Sequence, residues 1–531
     1  VTAVPAVTVE APDPIPDPQP GYPFPFRAVQ VIMDPDMQFW SLRLLLTAAL
    51  CAVLLAWGCT SAHFRAVPGQ PRDPVRFTLT GDTEQEYWTG IVFNGEKVGF
   101  SHFRFTPARD MPGRFDITSE AVFSLKFLMV EKRFSLKAHD LVNTDLSLER
   151  FTYEYDLDGS TMRITGRREG DTLKTTVHAS GEVLEQSFPG PVRPASVLYL
   201  YPAVQGLHAG RTYAYPVYDG ETRSLSTVRQ EVLACEESDL FEGNGFKVRT
   251  LMHGHEVIAW LDGEGRPLLE MAMGGVMISG LESEDRAKRH LASAALSRDE
   301  VLLEFSLIRT EQVLGTPRRL QYLELNLEGS DELGMVPSDE RQRCEWRDGT
   351  LACSIDASRE VPARGCGASA QDGYLRSTLA VPAGSGRIRD LAASIVHGTN
   401  EPVEAIRSIL AWMEGNIEKK PTDVFTALDV LDRGGAECQG HALLYAALCR
   451  AVGIPTRVVN GIVYSGEHRG FLFHTWAESC VGEAWISVDP TFSQIRADAT
   501  HLKVVEGEEP AEIMTLAGMV GRVRARVVTF R

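Results

Sequence analysis

The sequence predicts an α+β protein, in which a large antiparallel β-rich domain precedes a smaller domain of helices packed on an antiparallel sheet. Two observations carry this prediction. Short alternating stretches in residues 76–280 are separated by turn dipeptides such as Asn94-Gly95 and Asp158-Gly159, whereas apolar residues recur at helical spacing from Gly386 onwards. A period of two residues is typical of a half-buried strand, and a spacing of three or four is typical of a helix.

Composition and charge limit the function classes. Of the 531 residues, 44% are apolar and 23% are charged, which is typical of globular proteins. The chain has 53 Lys and Arg against 71 Asp and Glu, a net charge of −18. Nucleic acids require a basic surface, so a nucleic-acid partner is not expected. An anionic membrane surface would also repel this chain, so attachment to a membrane would need an anchor.

The first 36 residues differ from the rest of the chain. Residues 1–36 contain nine prolines and offer too little apolar surface to offset the entropy lost on ordering. We interpret them either as a disordered tail or as an overcalled start upstream of Met37.

Residues 37–58 predict a signal peptide. Arg43 precedes fourteen uncharged residues, Leu44–Trp57, which is shorter than the roughly 20 residues of a membrane span and typical of a secretory signal. The segment ends at Gly58-Cys59, which resembles a bacterial lipoprotein signal. This resemblance implies that Cys59 is acylated and becomes the mature N-terminus. The alternatives are a plain anchor helix or an uncleaved signal, and each would leave the rest of the chain exported.

The β-rich domain at 76–280 predicts a sandwich or a half-open barrel. Asn-Gly and Asp-Gly dipeptides supply the positive φ of tight hairpins, and Asp219-Gly220 and Asp262-Gly263 continue the series. The domain contains no chemical motif, so we interpret it as a binding or spacer domain. The remaining predicted segments are a helical connector at 281–300, a small β region at 301–370, a helix-and-sheet domain at 371–505 and a C-terminal extension at 506–531.

Cys344 and Cys353 predict a disulfide across a hairpin. With Asp348-Gly349 as a two-residue turn, the two cysteines face each other as a non-hydrogen-bonded pair, whose Cβ atoms are close enough for a disulfide. Two unrelated buried cysteines are the alternative. An exported chain is able to retain such a bond.

The segment from 434 to 503 carries the chemistry. Cys438 opens an apolar helix that stops at Gly453, with Pro455 beyond, and helix N-terminal amides lower the pKa of a thiol. A short helix at Val424–Leu431, capped by Thr422 or Asp423, precedes it.

A predicted hairpin follows this helix. Its turn at Gly482-Glu483 sets Cys480 opposite Trp485 and Trp476 opposite Asp489. His474 then lies on the same face as Asp489, diagonal to it and within reach. The register therefore predicts a His–carboxylate pair.

These residues together resemble the transglutaminase-like superfamily, a branch of the papain-like cysteine enzymes. The resemblance covers about residues 370–505 and implies a papain-like fold, with Cys438 as nucleophile, His474 as general base and acid, and Asp489 as the residue that orients the imidazole. Two departures are Glu437, where many members have Asp, and Gly440, where many have Glu. The matching pieces are Gly453-Ile454-Pro455-Thr456-Arg457-Val458-Val459, Phe473-His474-Thr475-Trp476-Ala477-Glu478, Trp485-Ile486-Ser487-Val488-Asp489-Pro490-Thr491 and Asp498-Ala499-Thr500-His501.

The resemblance implies a cysteine enzyme that acts on amide bonds of envelope proteins or peptides. We expect it on the periplasmic side of the cell envelope, held to the membrane by the lipid on Cys59, with hydrolysis favoured over cross-linking. Trp476 and Trp485 are interpreted as core aromatics that also shape the substrate cleft. No cofactor is expected, and a metal site of Cys438, His441, His474 and Cys480 is not favoured. The alternatives are a catalytically silent binding or scaffold lipoprotein and a purely structural one.

Overall fold

The computed structural model describes residues 63–67, 73–127, 130–288, 306–329, 336–358, 373–399, 401–482, 484–509, 516, 519 and 521–531, with the backbone alone for 125–127 and 130–131. The described residues belong to one compact unit of the chain. Outside these residues lie the predicted tail at 1–36, the predicted signal peptide at 37–58 and Cys59. Most of the predicted connector, namely the part after Lys288, also lies outside them. Within the described ranges, no helix is both long enough and apolar enough to cross a bilayer.

The N-terminal domain is built on one sheet of sixteen strands. Nearly all neighbours are antiparallel, and most are successive along the chain, as alternating stretches joined by turns require. The exceptions are the pairing of β16 with β2, the parallel pairing of β10 with β11, and β1, which pairs with β12. The strands are β1 Phe64–Ala66, β2 Gln85–Phe93, β3 Glu96–Pro107, β4 Arg114–Phe127, β5 Val130–Asn143, β6 Leu148–Leu157, β7 Ser160–Glu169, β8 Thr172–Ala179, β9 Glu182–Pro189, β10 Arg193–Pro194, β11 Thr212–Asp219, β12 Ser224–Ser238, β13 Phe241–Met252, β14 His255–Leu261, β15 Pro267–Ala272 and β16 Met277–Glu282.

This sheet curls back on itself. Strands β9 and β10 lie at opposite ends of the strand order, yet only residues 190–192 separate them in the chain. The two edges of the sheet are therefore close in space. Aromatic side chains fill the interior from both halves, and the rings of Phe151 on β6 and Tyr218 on β11 lie 5.0 Å apart. Of the two predicted architectures, the half-open barrel describes this domain better than the sandwich.

Tight turns join several of the hairpins. At Asn94-Gly95 the two φ values are 47° and 85°, and at Asp158-Gly159 they are 51° and 84°. Both residues of a type I′ turn require positive φ, so the predicted turns at these two places are confirmed.

Two other predicted turns take a different form. Gly220 and Gly263 do not have positive φ, and the loops that contain them are longer than two residues. In each loop the preceding aspartate side chain accepts a backbone N–H two residues on, at 2.8 Å for Asp219 and 2.9 Å for Asp262. In each loop the hydrogen bond from the aspartate side chain takes the place of a tight turn. The prediction of two-residue turns at Asp219-Gly220 and Asp262-Gly263 is therefore wrong.

The C-terminal domain packs helices against a six-stranded sheet. The sheet order is β26-β25-β24-β23-β27, and β17 pairs with β24. Helix α6 lies at the centre of this packing and is buried along most of its length. The α-helices among the described residues are α1 Leu200–Gln205, α2 Glu284–Lys288, α3 Gly386–Ile395, α4 Pro402–Asn416, α5 Ala427–Arg433 and α6 Cys438–Ala451. The remaining strands are β17 Ile308–Arg309, β18 Tyr322–Glu328, β19 Gln342–Arg347, β20 Thr350–Asp356, β21 Glu418–Lys419, β22 Gly435–Ala436, β23 Thr456–Ser465, β24 Gly470–Val481, β25 Ala484–Asp489, β26 Gln494–Ile495, β27 Leu502–Glu506 and β28 Arg524–Phe530.

Helix α5 begins later than its sequence predicts. Thr426 is the N-cap, its hydroxyl accepts the backbone N–H of Asp429, and the Asp429 carboxylate accepts the N–H of Thr426. This capping box fixes the helix start. Val424 instead lies before the cap, outside the helix, and is buried in the core. The predicted start at Val424 and the predicted cap at Thr422 or Asp423 are therefore wrong.

The predicted small β region and the C-terminal extension contribute to one sheet of four strands. Its order is β19-β20-β18-β28, so the last strand of the chain pairs with β18. Leucines of β18 pack with Ile462 and Tyr464 of β23. This small sheet supports the back of the strands that carry the candidate site.

Candidate active site

Cys438 lies in the first turn of helix α6. Its thiol is free and half-buried, whereas the helix is buried from Gly440 to Arg450. Glu437 is the N-cap, in extended conformation, and its backbone N–H donates to Thr422 O at 3.2 Å. The helix dipole and unpaired N–H groups at this end favour the thiolate form of a cysteine.

Gly440 allows this helix start to pack closely. A Cβ atom at Gly440 would lie 2.4 Å from Ala436 Cβ and 3.1 Å from methyl carbons of Val424 and Val430. No side chain fits there without a shift of the helix. The departure from the family pattern at Gly440 therefore has a steric reason.

His474 and Asp489 meet as the hairpin register predicts. Strands β24 and β25 pair with Glu478 opposite Ser487 and Cys480 opposite Trp485, as predicted. His474 Nε2 lies 2.8 Å from Asp489 Oδ2. Cys438 and His474 line the same cavity, and the Cys438 sulfur is near enough to help raise the imidazole pKa. Because Nε2 is engaged by the carboxylate, Nδ1 is the nitrogen left for the thiol.

A second histidine, His501, completes the surroundings of Asp489, and sequence reasoning assigned it no role. Its Nε2 lies 2.9 Å from Asp489 Oδ2, and its Nδ1 lies 3.2 Å from the backbone oxygen of Asp498. The Asp498 carboxylate accepts from Thr500 and from Arg318 Nη1, the latter at 2.9 Å. The segment Asp498–His501 is one of the pieces that resemble the family. This resemblance is the sequence signal that could have identified His501.

The charges of this network stabilise one another. Burial opposes the charged form of His474, but the Asp489 carboxylate and the Cys438 sulfur outweigh it and raise the imidazole pKa to about 9. Burial likewise opposes ionisation of Asp489, yet its two imidazole partners hold the carboxyl pKa well below its usual range. The pKa of His501 is also raised, since its two carboxylate neighbours outweigh burial. The site therefore favours an imidazolium beside Cys438 at neutral pH.

His474, Asp489 and His501 also have the residue types of a metal site. One ligand atom from each lies within 4.8 Å of the others. Both imidazole Nε2 atoms, however, approach the same carboxylate oxygen at hydrogen-bond distance. Metal binding requires deprotonated ring nitrogens, whereas these carboxylates favour protonated ones. The arrangement fits a hydrogen-bond network better than a metal centre.

A cluster of carboxylates lies on the other side of Cys438. Lys132 from strand β5 of the N-terminal domain forms ion pairs with Glu437, with Asp423 at 3.0 Å and with Asp158 at 3.5 Å. Burial and the charge of Asp423 raise the pKa of Glu437 to about 7, against the opposing effect of Lys132. The residue before the candidate nucleophile thus titrates near neutral pH.

Cys438 and His474 line a cavity of about 970 Å³, which we call the cleft. Both domains form its walls. The C-terminal domain supplies residues around the helix start and the loop after β23, and the N-terminal domain supplies part of the facing wall. The lining residues from the N-terminal domain are Phe123, Lys132, Arg133, Phe134 and Leu157.

The two predicted cleft tryptophans lie elsewhere. Trp476 is buried behind the site, its ring centroid 6.2 Å from that of His474. Trp485 lines a different cavity, where Arg457 stacks over its ring at 4.2 Å. Trp485 pairs with Cys480. Cys480 lies six positions from His474 on strand β24, a distance of about 20 Å along the strand. Neither is among the described residues that line the cleft, so the prediction that they shape it is corrected.

The structure also places the other cysteines. Cys344 and Cys353 face each other across the β19–β20 hairpin and are joined by a disulfide. Cys480 is also disulfide-bonded, so it offers no thiolate to a metal. The free cysteines among the described residues are Cys235, Cys438 and Cys449, of which only Cys438 is not buried.

Two family models match the sequence. Residues 389–490, which include Cys438, His474 and Asp489, match the Transglutaminase-like superfamily. Residues 90–275 match a domain of unknown function, DUF6134. The expected family and fold class are therefore confirmed: a large antiparallel sheet precedes a transglutaminase-like domain. No curated protein matched the chain.

Several solved structures resemble parts of this one at low identity. A proposed cysteine protease from Cytophaga hutchinsonii matches 40% of this chain over 85% of its own length, with 16% identity and a TM-score of 0.27. A beta-barrel-like DUF1849 protein from Brucella abortus matches 39% over 98% of its length, with 8% identity and a TM-score of 0.30. A proposed protease from Parabacteroides distasonis matches 73% over 69% of its length, with 10% identity and a TM-score of 0.18. Scores this low support no argument about activity.

Proposed function

We propose that the transglutaminase-like domain of this protein hydrolyses amide bonds through Cys438, His474 and Asp489. One observation carries the proposal: a free, half-buried thiol at a helix N-terminus lines the same cavity as an imidazole that is paired with a buried carboxylate. A nucleophile, a base and a group that orients the base are what acyl transfer requires.

The chemistry follows from the charges of the site. The Cys438 thiol gives its proton to His474, and the thiolate attacks the carbonyl carbon of the amide. The imidazolium then protonates the leaving amine as the C–N bond breaks, which leaves a thioester on Cys438. Asp489 stabilises the imidazolium and fixes its orientation. Backbone N–H groups at the start of helix α6 stabilise the developing oxyanion.

Water resolves the thioester in this proposal. His474, now neutral, takes a proton from water as the oxygen attacks the thioester carbon, and the Cys438 sulfur leaves as thiolate or thiol. An amine in place of water would give cross-linking, but two carboxylates of the cleft, Asp423 and Glu437, are already paired with Lys132. We therefore favour hydrolysis, with peptides or proteins of the cell envelope as substrates.

Export and lipid anchoring at Cys59 are part of the proposal, and the support is the apolar segment that ends at Gly58-Cys59. An anchored protein on the periplasmic side would meet envelope peptides directly. Mass spectrometry of the N-terminus of membrane-extracted protein tests it. A diacylated or triacylated Cys59 is expected, and an unmodified chain that starts before residue 59 contradicts the anchor.

Thiol labelling tests the enzymatic part. At mildly acidic pH, iodoacetamide should alkylate Cys438 faster than an ordinary thiol, since the raised pKa of His474 keeps a positive charge beside the sulfur. Cys235 and Cys449 are matched internal controls, because both are free but buried. A Cys438→Ala variant should lose the label. If Cys438 reacts no faster than a free thiol, the catalytically silent binding protein becomes the better reading.

A further inference from the structure

The N-terminal domain gives the cleft an apolar wall. Phe123, Phe134 and Leu157 all line the cavity that contains Cys438, and each is half-buried. They are direct cross-strand neighbours: Phe123 pairs with Phe134, and Phe134 pairs with Leu157. The two phenyl rings stack with centroids 4.7 Å apart. We call these three residues the apolar wall.

Buried ion pairs hold the wall against the start of helix α6. Lys132 lies two residues before Phe134 on strand β5 and is only 8% exposed. It contacts Glu437, the residue before Cys438, and also Asp423. Such a contact is costly to break, because Lys132 would be left buried and unpaired. The wall is therefore fixed relative to the nucleophile rather than free to swing.

The wall offers no hydrogen bond to a substrate. A polar side chain placed against two phenyl rings and a leucine would lose water without compensation. An apolar side chain would gain from burial there and from contact with the rings. The wall faces the same cavity as the thiol, so whatever occupies the cleft during the reaction meets both.

We propose that the apolar wall is a specificity pocket, and that it binds an aromatic or large aliphatic side chain of the peptide close to the scissile amide. The N-terminal domain is then part of the active site rather than a spacer. This inference rests on the proposed function, because it takes Cys438 as the reacting group.

Paired alkylating probes test the inference. Iodoacetamide measures the reactivity of Cys438 alone, and dipeptidyl chloromethyl ketones with Phe, Gly or Lys at either residue measure selection by the cleft. We expect the Phe probe to alkylate Cys438 roughly tenfold faster than the Gly probe at one of the two positions, as apolar pockets discriminate by about this factor or more. Phe134→Ala and Phe123→Ala should bring this ratio close to one and leave the iodoacetamide rate within about twofold of wild type.

Two further variants make the result decisive. Phe241→Ala removes a half-buried phenylalanine of the same domain that does not line the cleft, and it should keep the full Phe preference. Phe134→Glu should shift the preference from the Phe to the Lys probe. Normal iodoacetamide labelling with equal rates for all dipeptidyl probes would overturn the specificity pocket alone. Absence of Cys438 labelling by iodoacetamide would overturn the proposed function and this inference with it.

Discussion

Carboxylates lie on both sides of Cys438, one buried and the others half-buried, and they differ in acidity. On one side Asp489 accepts hydrogen bonds from two imidazoles, and its pKa lies well below the usual range because they outweigh the effect of burial. On the other side burial and neighbouring Asp423 raise the pKa of Glu437 to about 7. We call these the imidazole side and the carboxylate side.

The difference teaches that the neighbours of a carboxyl group decide whether the effect of burial on its pKa is reversed. Burial alone raises the pKa of any carboxyl group. Two imidazole donors reverse that effect at Asp489, whereas Lys132, shared among several carboxylates, does not reverse it at Glu437. A constant negative charge on the imidazole side suits a group that stabilises an imidazolium. A variable charge lies on the carboxylate side, next to the nucleophile.

The largest expected effect comes from the imidazole side, with His474→Gln. Loss of the base should lower kcat for a fluorogenic peptide amide by about 10⁴- to 10⁶-fold, the range found when a member of such a catalytic unit is removed. The glutamine keeps a polar side chain in a buried position, so the variant should stay folded by circular dichroism. His468→Gln is the matched control, since His468 also lines the cleft but bonds to Ser465. Equal losses for the two variants would contradict the assignment of His474.

The next effect is expected for Asp489→Asn, which removes the charge and keeps the shape. We expect kcat to fall by about 10²- to 10⁴-fold, because the imidazolium loses its carboxylate. The pKa of His474, about 9 with Asp489 present, should fall, since burial then acts without its main opponent. The alkaline limb of the pH profile for Cys438 alkylation should therefore move to lower pH. Asp432→Asn, at an exposed ion pair, is the control and should leave this limb unchanged.

A smaller effect is expected for His501→Gln, which tests whether Asp489 needs its second imidazole. A hydrogen bond to a charged group contributes about 1.5–3 kcal/mol, so kcat should fall by about 10- to 100-fold, with KM near wild type. His501 lies behind His474 and is not among the described residues that line the cleft, so it acts as a positioning residue. The alkylation pH profile should shift in the same direction as for Asp489→Asn, and by less. An unchanged profile would show that His501 has only a structural role.

The smallest effect on activity is expected for Glu437→Gln on the carboxylate side. The consequence of this variant that we expect to measure is a change in how stability depends on pH. The folded pKa of about 7 lies above the ordinary value of 4.5, so the unfolded chain releases this proton first as pH rises. Stability should therefore fall between about pH 4.5 and pH 7, by up to about 3 kcal/mol from this group. The variant should lack that part of the decline in denaturant titrations at several pH values. Parallel pH curves for variant and wild type would show that Glu437 is ionised throughout this range.

The sequence by itself determined the features that depend on local periodicity. The helix that begins at Cys438 follows from apolar spacing and the stop at Gly453, and the register of His474 with Asp489 follows from strand alternation and one turn. The opposition of Cys344 and Cys353 has the same origin. Each of these rests on residues fewer than about twenty positions apart, where backbone geometry fixes which side chains share a face.

Tertiary structure alone decided what lies around these residues. Lys132 reaches Glu437 across 305 positions of sequence, and the apolar wall faces Cys438 only because two domains pack together. His501 is only twelve positions from Asp489, and the side chains that crowd Gly440 are also near in sequence, but irregular segments rather than one helix or strand bring these residues together. The start of helix α5 differs from the predicted start at Val424, because Thr426 and Asp429 cap the helix while Val424 packs in the core. Contacts between distant segments carry no period, because they depend on the summed packing of both domains rather than on the local geometry of the chain.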